Sequence, residues 1–177
     1  MIDFIIPCHS KDFPSLKIVI EGIKNISCIN NIFVVSTENP KLDGVIYISE
    51  RCWDKYINKQ KIAKKFSTYA PNLLRRTKWL YQQFIKLYAH KVIPELTDSY
   101  VLLDSDTIFV RNVQFDPDKF YYCQALEYHK PYLKPIKKLL DVEKTIGFST
   151  ICHHMIFNKK KMAEMHSFIK DKFNSDS

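Results

Sequence analysis

Three short apolar runs, spaced by turn formers and one helical stripe, constrain this chain more than any other feature. "IDFIIPC" at residues 2–8 has an extended pattern ending at Pro7. "HSKDFPSLKIVIEGIKNI" then offers Leu16, Ile20, Ile23 and Ile26 at helical spacing. "NIFVVSTE" at 31–38 and "VIYISE" at 45–50 read as two further strands, joined by the turn-like "NPKLDG". Strands that alternate with helices need a sheet covered on both faces. The expected fold is therefore α/β: a Rossmann-like, mostly parallel sheet flanked by helices.

The rest of the chain continues the pattern. Residues 51–71 are polar and lysine-rich and read as a loop with a short helix, whereas "NLLRRTKWLYQQFIKLYAHKVI" predicts a long helix from about Arg76 to Lys91. Leu80, Phe84 and Leu87 form its expected core stripe. Arg76, Trp79, Gln83, Lys86 and His90 form a second stripe along one side. As an isolated pattern that stripe is a solvated polar face, but an Arg, an aromatic, an amide and a Lys together also suit a phosphorylated, ring-bearing ligand. A fourth strand is expected at 100–103, a fifth at 121–129 and a sixth at about 151–157. A loop and helix separate the last two, and a terminal helix ends the chain.

Composition narrows the class. The 177 residues are 46% hydrophobic and 14% aromatic, enough for one domain with a sizeable core, and no linker or repeat suggests a second. Five cysteines without metal-ligand spacing predict reduced thiols. The N-terminus lacks the pattern of an export signal, and no apolar run reaches the roughly 18 residues that span a bilayer. The expected location is the cytoplasm, that of a host if the source is viral. A net charge of +8, mainly from lysine, favours anionic partners, peripheral membrane contact included.

The chemistry centres on "VLLDSDTIFV", where Asp104 and Asp106 end an apolar strand with only Ser105 between them. On a regular strand both carboxylates would face one way, a costly arrangement without a cation. Hard oxygen donors of this kind suit Mg2+ or Mn2+, and ligands of open α/β sheets bind beyond the carboxyl ends of the strands.

An apolar strand, Asp-x-Asp and a further apolar run, placed after a Rossmann-like half, resembles the DxD motif of GT-A-fold glycosyltransferases. The segment from Arg75 to Asn112 and the later "FSTICHHMIFNKKKM" extend the likeness over roughly residues 1–165. The resemblance implies a nucleotide-binding half at about 1–110 and an acceptor-side half at about 111–170. The chain is short for such enzymes, as a minimal enzyme or a domain cut from a longer protein would be. By the resemblance, Asp106 is the main metal ligand, Asp104 contacts the ribose or the metal, and Ser105 lies between them at the donor. Pro7, Cys8 and His9 lie against the nucleoside, Arg76 and Lys86 meet phosphates, Gln83 reaches the ribose or sugar, and Trp79 stacks on a ring or packs inside. His153 or His154 supplies a third metal donor; alternation on a strand admits one of them, and His154 is the assignment carried here. Glu127, His129 and Asp141 are candidate bases for an inverting reaction.

The implied reaction moves a sugar from a nucleotide donor, UDP-linked by expectation, to a hydroxyl of a glycan, lipid or protein, with Mn2+ or Mg2+ and without nucleic acid. Two other readings compete. A basic module that binds nucleic acid or an anionic surface would use the lysine runs with Trp53, Tyr56 and Tyr69, but leaves the paired aspartates unexplained. A haloacid dehalogenase-type phosphatase also carries DxD, yet its motif sits near the N-terminus and wants Thr or Val where Ile108 stands.

Overall fold

The computed structural model describes residues 1–116, 118–119, 130–148 and 152–173. Five strands, β1 (Ile2–Pro7), β2 (Ile29–Ser36), β3 (Ile46–Ser49), β4 (Ser99–Leu103) and β5 (His154–Asn158), form one sheet in the order β3-β2-β1-β4-β5. The first four run parallel and β5 pairs antiparallel with β4, Leu103 standing opposite His154. The fold is thus the expected α/β sandwich with a mostly parallel sheet. The fifth predicted strand, with Glu127 and His129, lies outside the described residues.

Period-two alternation divides the core into two layers. Phe4 and Ile6 of β1, Val34 of β2, and Val101 and Leu103 of β4 pack with Leu16, Val19 and Ile23 of α1 (Phe13–Lys24). Ile5, Phe33, Val35, Tyr100 and Leu102 point the other way, onto Tyr81, Ile85 and Ala89 of α3 (Thr77–Val92) and onto Trp53. Trp53 is fully buried, and its indole N–H donates to the Ile85 carbonyl at 3.0 Å.

The sequence placed the α3 stripe one position out of phase. Tyr81, Ile85 and Ala89 carry it, with Phe84 half-buried at its flank, and Leu80 and Leu87 face away from the sheet's centre. The reason is aromatic: Tyr81 buries its ring while its hydroxyl finds the Glu50 carbonyl at 3.4 Å, so a residue that reads as polar sits in the core. The lysine-rich stretch holds a full helix, α2 (Lys59–Tyr69), started by Asn58, whose side chain accepts from the Lys61 amide at 3.0 Å. A 3-10 turn over Pro71–Arg76 precedes α3. The later elements are α4 (Leu133–Leu140) and α5 (Lys159–Phe173). Among the described residues no helix is long and apolar enough to cross a membrane.

Candidate active site

The strands β1 to β4 end on one side of the sheet, and their carboxyl ends surround a cleft of about 360 Å3. Pro7, Cys8 and His9 follow β1 into it, Thr37 follows β2, Glu50 follows β3 and Ser105 follows β4; α3 closes it with Lys78, Trp79, Tyr81, Gln82 and Ile85. Lys11 and Lys59 add two more cations. Pro7, Cys8 and His9, the three residues singled out at the end of the first strand, all line this cleft.

Each side chain has a local reason for its place. His9 is exposed, and its Nδ1 accepts from the Lys11 amide at 3.3 Å, capping the short 3-10 turn that leads into α1. Cys8 is buried; burial pushes its thiol up to about 11, a hydrogen bond with Ser105 pulls the other way, and Asp12 adds to the rise. Burial also raises the Glu50 carboxyl, although Lys59 at 3.9 Å and His9 oppose the rise. Tyr81 is pushed up to about 12, first by burial and then by Glu50 and Asp54. The Arg76 guanidinium lies 4.3 Å from the centre of the Trp79 ring, and that ring is exposed at the cleft. Trp79 is therefore a wall of the cleft and not a core residue.

Helical phase separates the other α3 residues. Gln82, not Gln83, lines the cleft, donating weakly to the Pro7 carbonyl at 3.5 Å. Lys86 lies one turn beyond and is spent on Asp104, with its Nζ 2.5 Å from Oδ1. The cleft instead takes its lysines from Lys11, Lys59 and Lys78, which the sequence reading did not single out. The signal for Lys78 was its place beside Trp79, and Thr37 and Glu50 stand where β2 and β3 end. Lys59 was hidden in a run that reads as solvated surface.

Asp-Ser-Asp is a turn and not a continued strand. The Thr107 amide donates to the Asp104 carbonyl at 3.1 Å, and the bend carries Asp106 into solvent, where it has no ion-pair partner among the described residues. Like charges are thereby not stacked side by side. Asp104, half-buried, still follows the β4–β5 ladder: its amide donates to the His153 carbonyl at 2.9 Å, and its Oδ2 lies 3.3 Å from His153 Nδ1.

Alternation on β5 then decides between the two histidines. His154 points to the opposite face, its ring packed edge-on against Phe109 and Phe115, and burial lowers its pKa ahead of the charge of His153. His153, not His154, stands beside Asp104. Asp141 is the exposed left-handed cap of α4 (φ 56°), a conformation Asp tolerates, and it does not line the cleft. Glu127 lies outside the described residues.

Residues 5–175 match a family of unknown function, DUF6492. The chain belongs to that family. Among curated proteins none matches this DUF6492 chain in sequence. Solved structures do match it: the galactosyltransferase LgtC in complex with donor and acceptor sugar analogues shares 12% identity at a TM-score of 0.54, over 98% of this chain and 65% of LgtC. Mouse xyloside xylosyltransferase 1 shares 10% identity at a TM-score of 0.50, over 95% of this chain and 71% of its own. The bifunctional glycosyltransferase WbbM shares 13% at 0.52, over 97% of this chain and 34% of WbbM. The DUF6492 chain has a GT-A fold and spans about two thirds of the length of LgtC.

Proposed function

We propose that this protein transfers a sugar from a nucleotide-sugar donor, UDP-linked in the first instance, to an acceptor hydroxyl. The observation that carries the reading is the cleft itself: on a GT-A sheet, the ends of four parallel strands meet three lysines and an exposed tryptophan, with the Asp104–Asp106 turn beside them. A cleft of this size suits a nucleoside diphosphate.

In this reading the nucleoside lies along Pro7, Cys8 and His9, and Trp79 offers its ring with Arg76 stacked behind. Lys11, Lys59 and Lys78 surround the diphosphate. The acceptor oxygen forms a bond to the anomeric carbon as the bond from that carbon to the phosphate oxygen breaks, and the hydroxyl proton leaves to a base or to solvent. Negative charge grows on the departing diphosphate, and the lysines of the cleft stabilise it there more than in the bound donor. Lys86 holds Asp104 in place, so Asp104 acts as an oriented acceptor toward the ribose.

The donor types fit a hard divalent cation. Asp106 is a solvated carboxylate without a competing cation, and Asp104 and His153 already approach one another within 3.3 Å, although among the described residues no three such side chains converge. Asp106 would be the main ligand of Mn2+ or Mg2+, and Asp104 or His153 would join it only by leaving their contact with one another; the ion when bound would supply positive charge beside the diphosphate.

A thermal-shift panel of nucleotide sugars with and without Mn2+ tests the reading. UDP or a UDP-sugar raises Tm only with the metal, and Asp106→Ala removes the shift. A metal-independent shift sinks the role of Asp106, and no shift with any nucleotide sugar sinks the proposal.

A further inference from the structure

Among the described residues, the helix α4 and residues 141–148 leave an apolar strip exposed on a molecule of net charge +8. Leu133, Ile136 and Leu140 recur at i, i+3 and i+7 on one side of α4; Lys137 borders that stripe, and Lys134 and Lys138 lie farther round the helix. Ile136 is 39% and Leu140 50% exposed, and Val142 and Ile146 beyond the helix are exposed too. A groove of about 660 Å3 beside α4 is lined by Leu133, Val142 and four of the lysines. The end of α5 reaches α4 through Lys172, which donates to the Leu139 carbonyl at 2.5 Å and lies 5.4 Å from the centre of the ring of Phe168, itself exposed like Phe173.

We propose that this face docks on an anionic phospholipid surface. Two features select that partner. First, residues 130–148 carry five lysines against two acids, and one of the acids, Glu143, is already paired with Lys137. Two copies meeting through this face would bring like charge against like charge, whereas anionic headgroups complement it. Second, the layout is interfacial: the apolar stripe of α4 would enter the acyl boundary while the lysines that line the adjoining groove reach phosphates with their ammonium groups. α4 then lies in the plane of the surface, and α5 adds aromatic contacts at its end. The proposal does not depend on the transfer reaction, and its test involves no nucleotide.

The test is co-sedimentation of the 177-residue chain with vesicles of phosphatidylcholine alone and of phosphatidylcholine mixed with phosphatidylserine. The chain is retained by the mixed vesicles and not by phosphatidylcholine, and raising the salt weakens retention. Ile136→Ser with Leu140→Ser, both at exposed positions, lowers partitioning about tenfold without lowering Tm, because burial of apolar side chains is lost. Lys134→Glu with Lys138→Glu lowers it at least as far and serves if the first variant folds poorly. Three results overturn the proposal: no retention on the mixed vesicles, retention unchanged in both variants, or a vesicle-free dimer that Ile136→Ser with Leu140→Ser dissociates.

Discussion

Asp3 on β1 and Asp104 just past the end of neighbouring β4 have their carboxylates satisfied by different means. Asp3 is fully buried and accepts from the Asn31 amide at 2.9 Å, the Thr97 amide at 2.6 Å and the Asn30 side chain at 2.9 Å, so it ties the start of β1 to β2 and to the loop before β4. Asp3→Ala strands these donors, and urea denaturation should register a loss of about 3 kcal/mol. Asp104 instead meets cations. Asp104→Ala leaves the half-buried Lys86 without its partner and should cost roughly 1–2 kcal/mol, less than a fully buried pair because both groups retain some contact with water. Asp106 has no such role. Asp106→Ala should change stability by no more than about 0.5 kcal/mol while abolishing the proposed metal-dependent nucleotide shift, and chemical denaturation beside the thermal-shift panel separates the two effects. The importance of Asp104 and Asp106 was legible from their place at a strand end, but their division was not. That depends on a turn at Thr107 and on Lys86 arriving from α3, both of them tertiary facts.

At the scale of elements, α1 shows how closely the layers approach. A Cβ on Gly22 would stand 2.8 Å from the Phe109 carbonyl oxygen and 3.2 Å from its amide nitrogen, both backbone atoms that cannot swing aside. Gly→Ala ordinarily favours a helix interior by about 1 kcal/mol. Here the clash outweighs the propensity, and Gly22→Ala should lower stability by about 1–3 kcal/mol, seen as a lower Tm by circular dichroism. β1, β2, β4 and α1 were readable because they bury both strand faces or a full helical stripe, and β3, a half-covered edge strand, was readable from its β-branched run between turn formers. α3 was readable as a helix but not in its phase, since Tyr81 and Ala89 look less apolar than Leu80 and Leu87. The antiparallel direction of β5 carries no sequence mark at all, yet it chooses His153 over His154.

For the molecule as a whole, strand order was the hidden quantity: β1 becomes central only because β4 crosses back to its far side. The same return brings α5 against α3, where His90 and His166 meet with ring centres 5.1 Å apart. The ring nitrogens of His90 are buried with no well-aligned hydrogen-bond partner among the described residues, and burial, followed by the positive charge of His166 and Lys91, lowers its pKa to about 4 against an opposing interaction with the Leu87 backbone; His166 is lowered as well, chiefly by burial. The folded state thus binds fewer protons than the unfolded one. Stability from this joint is fully present above the unfolded value near 6.5 and falls as the pH drops from there toward about 4, by at most about 3 kcal/mol for His90. Tm measured across that window should decline, and His90→Phe should flatten the decline; an unchanged slope would place the acid sensitivity elsewhere.

The two tryptophans occupy opposite environments, Trp53 sealed between the sheet and α3 and Trp79 open at the cleft beneath Arg76. Their emission therefore divides into two optical channels without any label. Trp53, fully buried, should report unfolding, whereas Trp79, 41% exposed, should be quenched by small molecules such as acrylamide. A molecule that enters the cleft should shield Trp79 from quenching while leaving the Trp53 signal intact, so occupancy and folding can be followed separately in one cuvette.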